Sequence, residues 1–162
     1  MTENPLSLLA QVARIPVFRS AAEIPTGFGP TVASVGNFDG VHCGHREILS
    51  AVVGEAHQTG ARAVAITFDP HPEQFLRPLE APRLLTPIAQ RLSLLAGAGV
   101  DAVVLLPFDA PLANLPAAEF VRQTVSYTHL DVYKRQAHNQ PFNYNDGRDP
   151  GTAGILAEPP TF

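Results

Sequence analysis

Residues 31–45 read TVASVGNFDGVHCGH. Thr31–Phe38 is a short apolar and β-branched run that ends at a glycine-bearing turn, the pattern of a buried strand. From His45 onward Ile48, Leu49, Val52, Val53 and Ala56 recur at helical spacing, and Gly60 stands where a C-terminal stop is expected. A strand therefore hands over to a helix through Gly36–His45, a stretch with three glycines, one aspartate and two histidines.

Further along, the same alternation repeats. Arg62–Phe68 (RAVAITF) is strand-like, and Pro70 and Pro72 keep it from running on. Pro87 suits a first helical turn, Ile88, Leu92 and Leu95 then share one face, and Gly97 and Gly99 close the segment. Val100–Phe108 is the most hydrophobic strand candidate, and Pro116–Val125 reads as a helix with Phe120 and Val121 inward. Upstream, Ile15–Phe18 is either an edge strand or a lead-in. Strand and helix in strict alternation predict an α/β fold, a doubly wound parallel sheet with right-handed crossovers and helices on both faces.

Composition narrows the function classes. Apolar residues make up 45% of the 162 residues and charged residues 16%, a globular balance that suits one domain. Eleven basic against 15 acidic residues give a net charge of -4, so neither nucleic acid nor an anionic membrane is expected as a partner, and any phosphate binding must be local. The single cysteine, Cys43, fits a reducing cytoplasmic compartment. The first 14 residues have a short apolar patch and no basic leader, which predicts neither a signal peptide nor a membrane span.

The chemistry concentrates in Gly36–His45. In open α/β sheets ligands bind beyond the carboxyl ends of the strands, and a helix N-terminus offers unpaired N–H groups and partial positive charge to phosphate. Gly36, Gly40 and Gly44 let the backbone approach a bulky ligand or take a positive φ. His42 and His45 are three apart, so a helix that starts near Cys43 turns both rings toward the space above its start. Imidazole N–H groups suit the oxygens on which charge builds during phosphoryl-type transfer. Two plainer readings stay open at this point: histidines that merely cap a helix, and an Asp39 that satisfies turn N–H groups or joins the histidines around zinc.

GNFDGVHCGH resembles the glycine–histidine signature of the nucleotidyltransferase superfamily in the form used by FAD synthetases, and Thr67–Pro72 (TFDPHP) resembles their second motif. Leu84–Thr86, Gly99–Phe108 and Ala117–Val125 also look like that family, so the resemblance runs from about Ile15 to Val125. It implies a Rossmann-like nucleotidyltransferase fold and adenylyl transfer from ATP to FMN, giving FAD and pyrophosphate, with Mg²⁺. On that resemblance Gly36, Asn37, Phe38, Asp39, Gly40 and Gly44 line the ATP site. His42 and His45 would be the catalytic pair on the phosphates. Asp69 and His71 would sit toward FMN or the metal, no metal ligand is assigned, and Cys43 has no catalytic role.

After Val125 the family pattern stops. Residues 1–14 read as an extension, residues 15–125 as a partial FMN adenylyltransferase domain, and residues 126–162 as a disordered tail outside the family. SYTHLDVYKRQ, residues 126–136, looks like a translated sequencing adapter. The sheet is then expected to be incomplete at its C-terminus and activity impaired, and the riboflavin kinase domain expected in a full-length chain is absent. Two alternatives are another nucleotidyltransferase with a different phosphate acceptor, and a noncatalytic nucleotide- or metal-binding module.

Overall fold

Apolar runs of β-branched residues form parallel strands here because both faces of the sheet are covered, so no polar alternation is needed. A computed structural model describes residues 14–126, with side-chain surroundings through residue 123. The strands are β1 (Val17–Phe18), β2 (Thr31–Val35), β3 (Arg62–Asp69) and β4 (Ala102–Pro107), in the spatial order β1-β4-β3-β2, all parallel. The α-helices are α1 (Cys43–Thr59), α2 (Pro72–Leu76), α3 (Ile88–Gly97), α4 (Ala110–Ala113) and α5 (Ala117–Ser126).

Chain progress from β2 through β3 to β4 moves in one direction across the sheet, which puts α1 and α3 on one face. There Leu49, Val52 and Ala56 of α1 and Leu92 and Leu95 of α3 pack with Val32, Ala63, Ala65, Val103 and Leu105. Burying a Leu or Val side chain fully contributes roughly 1.5–3 kcal/mol, so this layer carries most of the fold's stability. Opposite, Ala33, Val64, Ile66 and Val104 meet Phe18, Ile24, Phe28 and Phe120. Helices on both faces of a parallel sheet are thus present as expected, the second face being covered by α5 and the segment that links β1 to β2.

Element ends show where local chemistry overrides pattern. β2 ends at Val35, not Phe38, because Phe38 takes a left-handed conformation (φ 50°) that returns its ring to the core. α1 stops where Gly60 adopts φ 70° and its N–H bonds to the Ala56 carbonyl, as the glycine predicts. Pro87 caps α3 instead of entering its first turn, and its carbonyl accepts from Arg91 N at 3.0 Å. Ile15–Phe18 does supply an edge strand, paired with Val103 and Val104. The short helices α2 and α4 lie between the elements expected from the sequence, and each is started by a side-chain cap, from His71 and Asp109. Most of the expected N-terminal extension, and the tail beyond residue 126, lie outside the described residues. Among the described residues no helix is long and apolar enough to cross a membrane.

The register sets up the site. β2 pairs with β3 from Thr31↔Arg62 to Val35↔Ile66, whereas β3 continues beside β4 to Asp69↔Pro107. β2 therefore stops short of its neighbour, and the Gly36–His42 turn fills the step left at the carboxyl edge.

Candidate functional site at the carboxyl edge of the sheet

The turn is built from an unusual backbone. Phe38 (φ 50°), Gly40 (φ 72°) and Val41 (φ 42°) all have positive φ, and two of the three carry a Cβ. Such residues cost on the order of 1–3 kcal/mol each and persist only where the surroundings over-determine them. Here Phe38 and Val41 are buried in the core that α1 shares with the sheet, so apolar burial holds the strained residues in place. Gly36 leaves room for that arrangement: a Cβ there would lie 3.1 Å from the Phe38 ring. At Gly40 a Cβ would stand 3.0 Å from Leu85 Cδ1. Both glycines are thus accounted for by the protein's own side chains, whereas at Gly44 the nearest contact for a Cβ would be His42 at an ordinary 3.5 Å.

α1 starts at Cys43, so both histidines come to the head of the helix. Their rings stack, with centroids 3.7 Å apart and planes 25° apart. They are not equivalent. His42 is exposed, while His45 is 4% exposed and also meets the Phe38 ring at 5.2 Å. The expectation that both rings look outward is met by His42 alone; His45 lies behind it. The His42 side chain makes no cap hydrogen bond at the start of α1, and no acidic residue stands in its first turn, which leaves the helix's partial positive charge without a carboxylate there.

Asp39 has a structural duty. Its carboxylate accepts from Leu85 N (2.8 Å), Thr86 N (2.9 Å) and Thr86 Oγ1 (2.9 Å), and Thr86 Oγ1 in turn accepts from Gly40 N at 3.1 Å. This clamp ties the Leu84–Thr86 segment to the turn. Burial works to raise the Asp39 pKa, but the bonds from Leu85 and Thr86, with the charge of Arg91, outweigh it and leave it below the ordinary value.

Arg91 belongs to the site although neither motif contains it. It is 1% exposed, and its Nη1 donates to the Asn37 carbonyl at 2.9 Å, the same carbonyl that accepts from Thr67 Oγ1 at 3.0 Å. Burial pulls its pKa down, while Asp39 and Asp69 work to raise it. The sequence does hold a signal for it: Ile88, Arg91, Leu92 and Leu95 follow the i, i+3, i+4, i+7 pattern of an inward face, so Arg91 stands in an apolar slot.

The second motif converges on the same edge through Thr67. Asp69, half-exposed, pairs with Arg19 at 3.6 Å. His71 is buried, and its Nδ1 accepts from Glu73 N at 3.2 Å, which starts α2. Beside it Phe68, Phe75 and Phe108 form edge-on pairs at 5.5 and 5.8 Å, with Phe120 at 6.4 Å from Phe68. Phe75 is 40% exposed. A separate cleft of about 630 Å³ opens among Ala21, Leu106, Leu112, Leu115 and Phe120, away from the glycine–histidine turn. Among the described residues no three His, Cys, Asp or Glu side chains gather closely enough to hold a metal ion.

A parallel α/β sheet with a glycine-rich, histidine-bearing turn before the helix that follows β2 is the arrangement of a nucleotidyltransferase-like domain. The chain belongs to the FAD synthetase family, whose model matches residues 25–133. The match runs past Val125, where the resemblance read from the sequence stops. A bifunctional riboflavin kinase/FMN adenylyltransferase of Pseudomonas fluorescens is 42% identical over 105 residues, which cover 62% of this chain and 33% of that protein. Its namesake in Escherichia coli strain K12 is 35% identical over 118 residues, 73% of this chain and 37% of the relative. The chain thus spans about a third of the length of these curated relatives. A crystal structure of a Streptococcus pneumoniae protein described as a macrolide-efflux protein superimposes with a TM-score of 0.60 at 25% identity, over 72% of this chain and 39% of that one.

Proposed function

We propose that this chain carries the adenylyl-transfer site of an FMN adenylyltransferase, which moves AMP from ATP to FMN and yields FAD and pyrophosphate. The observation that carries the reading is the start of α1, flanked by exposed His42 and by Gly44, at the carboxyl end of β2. A phosphate oxygen of FMN attacks the α-phosphorus of ATP; a new P–O bond forms, the bond to the β-phosphate oxygen breaks, and pyrophosphate leaves with the electron pair. Charge accumulates on the departing phosphates, which is where the α1 N–H groups and the His42 imidazole act.

His45 serves the same step from behind His42, and Gly36–Gly40 shape the turn that faces the nucleotide. Asp69 and His71 lie toward FMN. The partly exposed Phe75, backed by Phe108, suits a flat aromatic acceptor such as a flavin ring. Mg²⁺ supplies charge neutralisation when bound to the nucleotide. The described residues offer it no ready cage, since Asp39 already accepts three hydrogen bonds and no carboxylate cluster lies nearby. No step is therefore assigned to a protein-held metal. We place the partial domain at residues 15–125 in a cytoplasmic enzyme whose full-length form adds a riboflavin kinase domain, with no nucleic-acid or membrane partner.

Incubation with ATP, Mg²⁺ and FMN, followed by chromatography for FAD and an assay for pyrophosphate, tests this reading. FAD and pyrophosphate are expected in equal amounts, and neither with nicotinamide mononucleotide or pantetheine phosphate as acceptor. Pyrophosphate release that is faster with another acceptor would contradict the assignment.

A further inference from the structure

A turn with three positive-φ residues needs something that fixes the peptide entering it. That peptide is Asn37, whose carbonyl accepts two hydrogen bonds, from Thr67 Oγ1 at the end of β3 and from Arg91 Nη1 on α3. Arg91 is 1% exposed on a face otherwise made of Leu92 and Leu95, and its Nε is buried with no hydrogen-bond partner among the described residues. Burying a guanidinium among leucines is costly unless the charge is needed where it lies. Asp39 and Asp69 are the acidic groups that act on it, one from each motif.

From this geometry we infer that Arg91 is a positioning residue for the nucleotide site. By holding the Asn37 carbonyl from below it locks Phe38–His42 in the form that presents His42 and the head of α1, and it sets a positive charge beneath that turn. The inference about the loop stands on the ligand-free geometry; its extension to ATP rests on the function proposed above. Arg91 touches no reacting atom, so its effect passes through the loop. Thr67 shares the task as the second donor to the same carbonyl.

The test uses the whole chain and four proteins: wild type, Arg91→Met, Arg91→Lys and Thr67→Val. Hydrogen exchange at residues 38–42, compared with the β3 and α1 amides, reads the loop; calorimetric titration with ATP reads the site. In Arg91→Met the loop amides should exchange at least tenfold faster while the β3 amides keep their protection, and ATP should bind at least tenfold more weakly. Arg91→Lys should recover part of both effects, and Thr67→Val should loosen the loop in the same direction. Should Arg91→Met fail to fold, Arg91→Lys and Thr67→Val still decide the matter through the loop amides. Loop exchange unchanged in the folded variants would overturn the inference. Loop amides that exchange faster in the variants, together with no ATP binding to the wild-type chain, would leave the brace standing and sink the nucleotide reading instead.

Discussion

His42 and His45 show how one spacing yields two environments. Three residues apart at the head of a helix, they stack, but only one reaches the surface. Replacing His42 with Ala is expected to leave the unfolding midpoint within error and to weaken ATP binding about tenfold, or ~1.4 kcal/mol. His45→Ala removes a ring from a packed interior and should destabilise the fold by roughly 1–3 kcal/mol as well, which thermal unfolding of the two variants will separate. Asp39 gives a pH signature. Its folded-state pKa lies below the ordinary value of 3.8, so the clamp stabilises fully above the unfolded-state pKa and is lost as pH falls through the lower folded value. The stability difference between wild type and Asp39→Asn should therefore be constant above about pH 4 and shrink below it, as urea unfolding between pH 2 and 6 will show. A difference that grows on acidification would contradict the clamp.

A glycine inside α1 and the glycine that caps it make opposite predictions for the same substitution. Gly60 ends the helix at φ 70°, and a Cβ there would meet nothing within 4 Å, so Gly60→Ala carries only the left-handed backbone cost, on the order of 1–2 kcal/mol. Gly54 lies inside the helix with equally open space, so Gly54→Ala should stabilise by up to about 1 kcal/mol. Denaturant midpoints of the pair will read both signs. The helix and strand bodies are legible in the sequence because long periodic runs such as Ile48–Ala56 and Val100–Phe108 overwhelm local preference. Their ends are not. Whether β2 stops at Val35 depends on Phe38 turning back into a core formed by residues far along the chain, and α2 depends on a cap between His71 and Glu73 that no periodicity reports.

At the level of the molecule, two distant motifs read as neighbours because both follow strands, and the sheet does join them: Thr67 Oγ1 and Arg91 Nη1 meet on Asn37. What the sequence hides is the support beneath them. The apolar slot marks Arg91 as inward but not its partner, Asn37, 54 positions away, and the Asp39–Thr86 clamp spans 47 positions; both contacts are set by the fold alone. The glycines read as positions of close approach or positive φ: Gly40 does take φ 72°, and a Cβ at Gly36 or Gly40 would crowd Phe38 or Leu85, neighbours that only the fold reveals. The phosphate side of the proposed site is narrow: the head of α1, Gly44 and the exposed ring of His42. Calorimetric titration of ATP into the wild-type chain and into His42→Ala, with matched unfolding midpoints, tests it most directly. Saturable binding that weakens at least tenfold in the variant is the outcome this account predicts; equal affinity in the two proteins, or no saturable binding to wild type, would contradict it.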